Sequence, residues 1–150
     1  DHLLQARLDG DIKAAMQARE AGKLRLSVLR MVKSAAKYLE IERKEGLTDE
    51  DLLTVFVKEV KQRRDSIDEF KKGNRMDLVE ASEAELAILQ EYLPQQLSEA
   101  ELRELVQAAV QETGAQSKKD MGKVMADLMP RTKGRADGKL LNRIVQEFLP

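Results

Sequence analysis

The chain has 150 residues, a net charge of −1 and no cysteine. The absence of Cys excludes disulfide bonds and thiolate metal sites, and the balanced charge argues against a nucleic-acid-binding protein that is basic overall. Hydrophobic residues make up 42% but aromatic residues only 3%, so a core must be aliphatic. Charged residues reach 35%, with only three Pro and eight Gly. This balance is typical of long, solvated helices.

No apolar run approaches the roughly 18 residues of a membrane-spanning helix. The first residues are polar and soon charged, unlike a secretory signal peptide. We therefore expect a cytoplasmic protein with no membrane association.

Apolar residues recur at intervals of three and four along the whole chain, which predicts an all-α fold of about seven helices. The predicted helices cover about residues 3–21, 23–44, 49–72, 76–93, 98–113, 118–130 and 137–148. Pro94 pushes the preceding residue away from helical geometry. It marks the boundary between a four-helix N-terminal subdomain, residues 1–94, and a C-terminal three-helix bundle, residues 95–150.

Several helix ends carry local signals. Gly46 is expected to end the second helix, because glycine accepts a left-handed backbone. Thr48 followed by Asp51, and Ser98 followed by Glu101, resemble capping boxes at the starts of the third and fifth helices.

The third helix has the most regular pattern, with a 3-4-3-4-3 spacing typical of a narrow packing seam. The seam consists of Leu53, Phe56, Val60, Arg63, Ile67 and Phe70. We expect Leu53, Val60 and Ile67 to be buried. Arg63 should lay its methylenes along the core and keep its guanidinium at the edge.

Catalytic motifs are missing from the sequence. The single histidine, His2, lies at a terminus without a fixed partner. No Glu-Xaa-Xaa-His pair could build a dimetal site, and residues 134–139 lack the spacing and Ser/Thr of a phosphate-binding P-loop. The prediction is therefore no catalytic residue, no metal site and no cofactor.

Basic residues also recur on the second and third helices, among interleaved acidic residues. We interpret them as exposed faces with ion pairs, worth a few tenths of a kcal/mol each. They are Arg30, Lys33, Lys37 and Lys44, then Lys58, Lys61 and Arg64.

A different basic cluster lies near the C-terminus. Residues 114–139 hold seven Lys and Arg against three Asp, a net charge of +4, whereas the other 124 residues carry −5. The predicted nucleic-acid-binding residues are Lys118, Lys119, Lys123, Arg131, Lys133, Arg135, Lys139 and Arg143.

These charges flank two predicted helix starts, at Ser117 and near Asp137, where free N–H groups and the helix dipole favour a phosphate. If the bundle brings the two starts together, they form one positive surface. Gly134 and Gly138 would let a backbone approach closely. The alternative is that Asp137 is an ordinary N-cap and the lysines only aid solubility, and the residues alone leave both open.

Five stretches resemble the signature sequences of the YqeY family, in order and at family spacing. They are residues 25–31 (RLSVLRM), 60–66 (VKQRRDS), 85–94 (ELAILQEYLP), 120–125 (DMGKVM) and 133–139 (KGRADGK). The family is similar to the C-terminal tail of the B subunit of the tRNA-dependent amidotransferase and to a module of some glutaminyl-tRNA synthetases. The resemblance implies two all-α subdomains that contact tRNA, while carbon–nitrogen ligase chemistry lies in other domains.

From this resemblance we expect a non-catalytic tRNA-binding accessory module that contacts the RNA backbone through the C-terminal basic residues. Its partners would be tRNA and an amidotransferase or an aminoacyl-tRNA synthetase, with no small-molecule substrate. The scarcity of aromatic residues agrees with phosphate contacts rather than base stacking. The alternative is a protein–protein adaptor that docks on such an assembly through the acidic remainder of the chain.

Overall fold

The computed structural model describes residues 2–150, and all regular structure in that range is helical. The all-α prediction is therefore confirmed. The helices are α1 (Leu3–Gln17), α2 (Lys23–Arg43), α3 (Asp49–Lys72), α4 (Met76–Gln90), α5 (Glu99–Thr113), α6 (Met121–Thr132) and α7 (Gly138–Phe148). Short 3₁₀ turns at Arg19–Gly22 and Lys118–Asp120 precede α2 and α6.

The chain divides after Leu93 into two compact units. The first unit contains α1 to α4. Its core centres on Phe56, which is fully buried and stacks on Tyr92 with ring centroids 4.6 Å apart. Leucine, valine and alanine side chains from α1, α2, α3 and α4 pack around this pair. The second unit contains α5 to α7 around a separate aliphatic core.

The loop between α2 and α3 begins earlier than Gly46 predicts. Lys44, not a glycine, takes the left-handed conformation at φ 59°, and its N–H bonds to the Glu40 carbonyl at 2.8 Å. The predicted capping box at Thr48 is present. Its Asp51 also pairs with Arg43 at 2.8 Å, and this pairing, with the Thr48 N–H bond, lowers the pKa of Asp51 to about 2. The ion pair holds the two helix ends together without the glycine.

The helix α6 ends two residues later than predicted, since it continues past Pro130 to Thr132. A proline in a helix removes one N–H bond. The next turn is nevertheless held, because the Thr132 hydroxyl donates to the Leu128 carbonyl at 3.0 Å and the Lys133 N–H to the Met129 carbonyl at 3.0 Å. Leu128 is fully buried, so packing fixes this turn as well.

The seam of α3 is wider than the sequence pattern indicates. Val60 and Ile67 are buried as predicted, but Leu53 is only half-buried and its neighbour Leu52 is 3% exposed. α3 packs against α1, α2 and α4 at once. A helix that contacts three neighbours needs a broad apolar face rather than a two-helix seam.

The Arg63 guanidinium lies inside the seam, not at its edge, so that prediction is wrong. The side chain is 9% exposed. It donates to Glu59 at 3.2 Å and to Glu85 of α4 at 2.9 Å, and lies 3.6 Å from the sulfur of Met31 on α2. The two carboxylates satisfy the buried charge and join α3 to α4, and the Met31 sulfur adds a contact with α2.

The neighbours Leu52 and Leu53 give a matched test of the seam. Leu52→Ala should lower the free energy of unfolding by about 2–5 kcal/mol, because it leaves a cavity in a closed core. Leu53→Ala should cost clearly less, because its side chain is partly solvated. Urea unfolding followed by circular dichroism measures both. Equal losses would contradict the observed seam.

The buried Arg63 generates a second prediction. Arg63→Ala leaves the buried Glu59 carboxylate without its partner, so unfolding free energy should fall by about 3–5 kcal/mol. Arg64→Ala, one position along α3 and half-exposed, is the control and should change stability by less than about 0.5 kcal/mol. Thermal or urea unfolding of the two variants checks this, and similar stabilities would rule out a structural ion pair.

Candidate nucleic-acid interface

The second unit is an antiparallel three-helix bundle. Its fully buried residues include Leu102 and Val106 of α5, Val124 and Leu128 of α6, and Ile144 of α7. At one end the Lys118 N–H donates to the Pro150 carbonyl at 3.3 Å. At the other end the Leu97 N–H donates to the Arg135 carbonyl at 2.8 Å. The start of α6 therefore lies beside the end of α7, and the end of α6 beside the start of α5.

This arrangement separates the two helix starts, so the condition for one continuous positive surface is not met. α6 has 12 residues, so at about 1.5 Å per residue its ends are about 18 Å apart. We call residues 113–123 the turn end and residues 95–99 with 131–139 the loop end. Lys118, Lys119 and Lys123 lie at the turn end, and Arg131, Lys133, Arg135 and Lys139 at the loop end. The structure therefore shows two basic groups rather than one surface.

At the turn end, two lysine side chains make no polar contacts with the rest of the described chain. Lys118 and Lys119 are exposed, and neither side chain forms a hydrogen bond or ion pair within residues 2–150. The Ser117 hydroxyl caps this segment by accepting the Lys119 N–H at 3.3 Å. The Lys123 ammonium donates to the Thr113 carbonyl at 3.3 Å.

Asp120 is the single acidic residue of the turn end. Its carboxylate accepts the Gln116 N–H at 2.8 Å, and this bond, followed by one from the Ser117 N–H and by the Lys123 charge, lowers its pKa. The carboxylate thus stabilises the turn while ionised, and that contribution is lost only as pH falls through the lowered pKa. Three lysines face one carboxylate here, which leaves a local charge of +2.

At the loop end, the cationic side chains are already engaged. Arg131 pairs with Asp127 one turn earlier on α6. The Arg135 guanidinium donates to the Gln95 carbonyl at 3.1 Å. Lys133 and Lys139 also make interactions within the chain.

Acidic residues offset much of the loop-end charge. Arg143, one turn beyond Lys139 on α7, lies 3.8 Å from Glu99. Asp137 caps α7 by accepting the Lys139 N–H at 3.1 Å, and Glu101 completes the predicted capping box of α5 with Ser98. With Arg143, Asp127 and Glu101, which lie just outside the loop end, counted as well, five cations face four carboxylates, a net charge of +1.

The loop end has anchors that the sequence analysis missed. The Gln96 side chain donates to the Gly134 carbonyl at 2.6 Å, and Gly134 is buried with a positive φ of 74°. Together with the Leu97 bond, this ties residues 95–97 to the loop before α7. The Gln96 side chain was the available signal, since its amide carries both hydrogen-bond donors and an acceptor.

The first unit contains a second polar cluster that the sequence analysis did not single out. The Tyr92 hydroxyl donates to the Asp11 carboxylate, and the Arg7 guanidinium lies 4.3 Å from the centre of the Tyr92 ring. Burial and the Asp11 bond raise the pKa of Tyr92. Glu91 holds Arg25 through two hydrogen bonds of 2.9 Å. These contacts fasten the end of the first unit to α1 and α2.

The basic residues of α2 and α3 are partly paired. Lys33 bonds to Asp9 of α1, and Lys61 lies 3.5 Å from Asp65 one turn later. Within the described residues, no group of His, Asp and Glu side chains is placed to hold a metal ion. None of the helices in that range has the length and apolarity to cross a membrane.

The fold defines a class: an all-α protein of two helical units, the second of which is a three-helix bundle. The profile of the family described as Yqey-like protein matches residues 5–149. The chain therefore belongs to the YqeY family, as its five stretches indicate.

Similar proteins occur in fungi and carry the name altered inheritance of mitochondria protein 41, mitochondrial. The chain is 32% identical to that of Pyrenophora tritici-repentis, over 99% of this chain and 82% of the relative. It is 31% identical to that of Saccharomyces cerevisiae strain YJM789, over 94% and 80%. The match to that of Lachancea thermotolerans is 42% identical over 65% and 52%.

These relatives correct the expected cytoplasmic localisation, because all three are named as mitochondrial proteins. The physical reason for the error is that net charge and helical patterning are compatible with any aqueous compartment. Composition therefore does not distinguish the cytoplasm from the mitochondrion.

Proposed function

We propose that this protein is a non-catalytic accessory module that binds the backbone phosphates of tRNA. The turn end makes the main contact. The observation that carries the proposal is the charge of the turn end. Three lysines, Lys118, Lys119 and Lys123, share this end with one carboxylate, that of Asp120, which is already bonded to backbone N–H groups. The relatives' names support action in mitochondria.

Phosphate is the chemistry that this surface favours. The ammonium groups stand beside the N-terminal end of the continuous segment formed by the 3₁₀ turn and α6, where the helix dipole is positive. Gly122 is exposed, and a side chain there would meet nothing within 4 Å. A nucleic-acid backbone therefore has room to approach. Phosphate contacts position an RNA without reading its sequence.

The loop end would act as a secondary contact. Arg131 and Arg143 would have to exchange Asp127 and Glu99 for phosphates, which reduces the net gain. The two ends are separated by about 18 Å along α6, which is more than the distance between adjacent phosphates of an RNA strand. The two ends would therefore contact different phosphates. This spacing suits the shape of a folded RNA rather than one short strand. The family resemblance supports tRNA as that RNA and an amidotransferase or aminoacyl-tRNA synthetase as the assembly it serves.

Two triple variants separate the ends. The turn-end triple is Lys118→Ala, Lys119→Ala and Lys123→Ala, and the loop-end triple is Arg131→Ala, Lys133→Ala and Lys139→Ala. Each lost phosphate contact should reduce the slope of log affinity against log salt by about 0.7–0.9. We expect the turn-end triple to reduce the slope by about two to three and the loop-end triple by less than about one. Fluorescence anisotropy with labelled tRNA across salt concentrations measures this.

Asp137→Ala is the stability control, because loss of the α7 cap should cost about 1 kcal/mol without touching the turn end. Its salt slope should equal that of the wild type. If the loop-end triple flattens the slope more than the turn-end triple, the assignment of the main contact is wrong. If the wild type binds no tRNA at low salt, the RNA proposal fails.

A specific observation also favours the second candidate, a protein–protein adaptor. Leu24, Met31 and Tyr38 recur every seven residues on α2 and are exposed, Tyr38 by 72%, and Ile41 beside them by 68%. An open groove between α2 and α3 borders Tyr38 and is lined in part by Leu39 and Val55. An exposed apolar stripe of this kind is typical of a surface that docks on a partner helix.

Replacing Met31 and Tyr38 together by Ser tests the adaptor function. The double variant should lose co-purification with an amidotransferase or synthetase at 0.5 M salt, where apolar contacts persist, by more than about tenfold. Its tRNA affinity should be unchanged, which distinguishes the two functions. Quantitative mass spectrometry of tagged protein recovered from mitochondria measures the loss. Equal recovery from the wild type and the variant would exclude this surface.

A further inference from the structure

The first unit contains a small cavity between α1, α2 and the start of α3. Its volume is about 180 Å³. The floor consists of four core side chains, Leu8, Ala36, Leu47 and Leu52, all of them buried. An apolar cavity of roughly 150 Å³ is large enough to hold benzene. This volume includes the polar mouth, so the space fits a small molecule whose apolar part has about four carbon atoms.

The mouth of the cavity is polar and carries both signs of charge. It is lined by Gln5 of α1 and by Lys33, Lys37 and Glu40 of α2. Asp9 neutralises Lys33. Lys37 and Glu40 form no ion pair within residues 2–150, either with each other or with another group. One ammonium and one carboxylate thus border the same opening without a partner.

The walls are fixed by contacts that do not involve the mouth. Asp49 accepts the Leu4 N–H at 3.1 Å, which ties α3 to α1. The capping box at Thr48 and the Arg43–Asp51 ion pair hold the loop that carries Leu47. A ligand would enter a cavity already formed, and little conformational freedom would be lost on binding.

We propose that this cavity binds a free apolar α-amino acid of about the size of leucine. The aliphatic side chain fills the apolar floor, the ammonium of Lys37 pairs with the ligand carboxylate, and the carboxylate of Glu40 pairs with the ligand ammonium. The neutral balance of the mouth suits a zwitterion better than an acid or an amine alone. This site lies in the first unit, apart from the RNA contacts proposed for the second.

The test is isothermal titration calorimetry of the full chain with three probes. L-Leucine is compared with 4-methylpentanoic acid, which lacks the amine, and with 3-methylbutylamine, which lacks the carboxylate. Leucine should bind at least about tenfold more tightly than either analogue, since each analogue leaves one charged group of the mouth unpaired. Equal binding of the three, or no binding of leucine, would overturn the proposal.

Two variants assign the roles of the charged residues. Lys37→Ala should weaken leucine binding about tenfold and leave the amine unaffected. Glu40→Gln should do the same for leucine and leave the acid unaffected. Both positions are at the rim, so the fold should persist, and Lys23→Ala, an exposed lysine elsewhere on α2, should bind leucine normally. Unchanged leucine affinity in the Lys37 and Glu40 variants would overturn the assignment.

Ala36→Leu fills the floor with the atoms that the ligand side chain would occupy. It should abolish leucine binding while circular dichroism retains the helical spectrum. Leucine binding at wild-type strength in a folded Ala36→Leu variant would show that the ligand lies elsewhere.

Discussion

The direction of α6 is the constraint on which the functional geometry depends. Because α6 packs antiparallel to α5 and α7, the hydrogen bond from Lys118 to Pro150 closes one end of the bundle and that from Leu97 to Arg135 closes the other. The aliphatic core holds this arrangement, since Val124 and Leu128 are both fully buried. Twelve helical residues then separate two basic segments that belong to a single charge cluster in the sequence. Packing of apolar residues thus decides which charges can act together.

The two ends differ in whether their cationic side chains are already engaged within the chain, rather than in how many cations they hold. The loop end holds more cations, yet Arg131 and Arg143 face carboxylates and Arg135 supports a backbone carbonyl. Exposed ion pairs of this kind contribute little to stability, usually below about 1 kcal/mol, but a phosphate must displace them before it can bind. The turn end offers Lys118 and Lys119 without that competition. The same reasoning explains why the net charge of −1 is compatible with an RNA contact.

Local signals allowed most of the fold to be predicted, and long-range contacts account for the rest. Ser98 with Glu101 caps α5 because both groups lie within one turn. The end of α2 was predicted to within one residue, but the left-handed residue that terminates it is Lys44 rather than Gly46. The position of the Arg63 guanidinium depends on Glu85, 22 residues away. For the site, the sequence identified the basic residues but not their separation. Short connections between consecutive helices favour antiparallel neighbours. The short loop between α6 and α7 therefore already indicated that these two helices start at opposite ends of the bundle.

The proposed first contact of RNA with the turn end is tested most directly by titrating the ¹⁵N-labelled chain with tRNA and following the amide chemical shifts. Sub-stoichiometric tRNA should perturb or broaden the amides of residues 116–123 first. The amides of residues 131–139 should respond only at higher ratios, and those of the first unit least. Initial perturbation at residues 131–139, with residues 116–123 unchanged, would contradict the account.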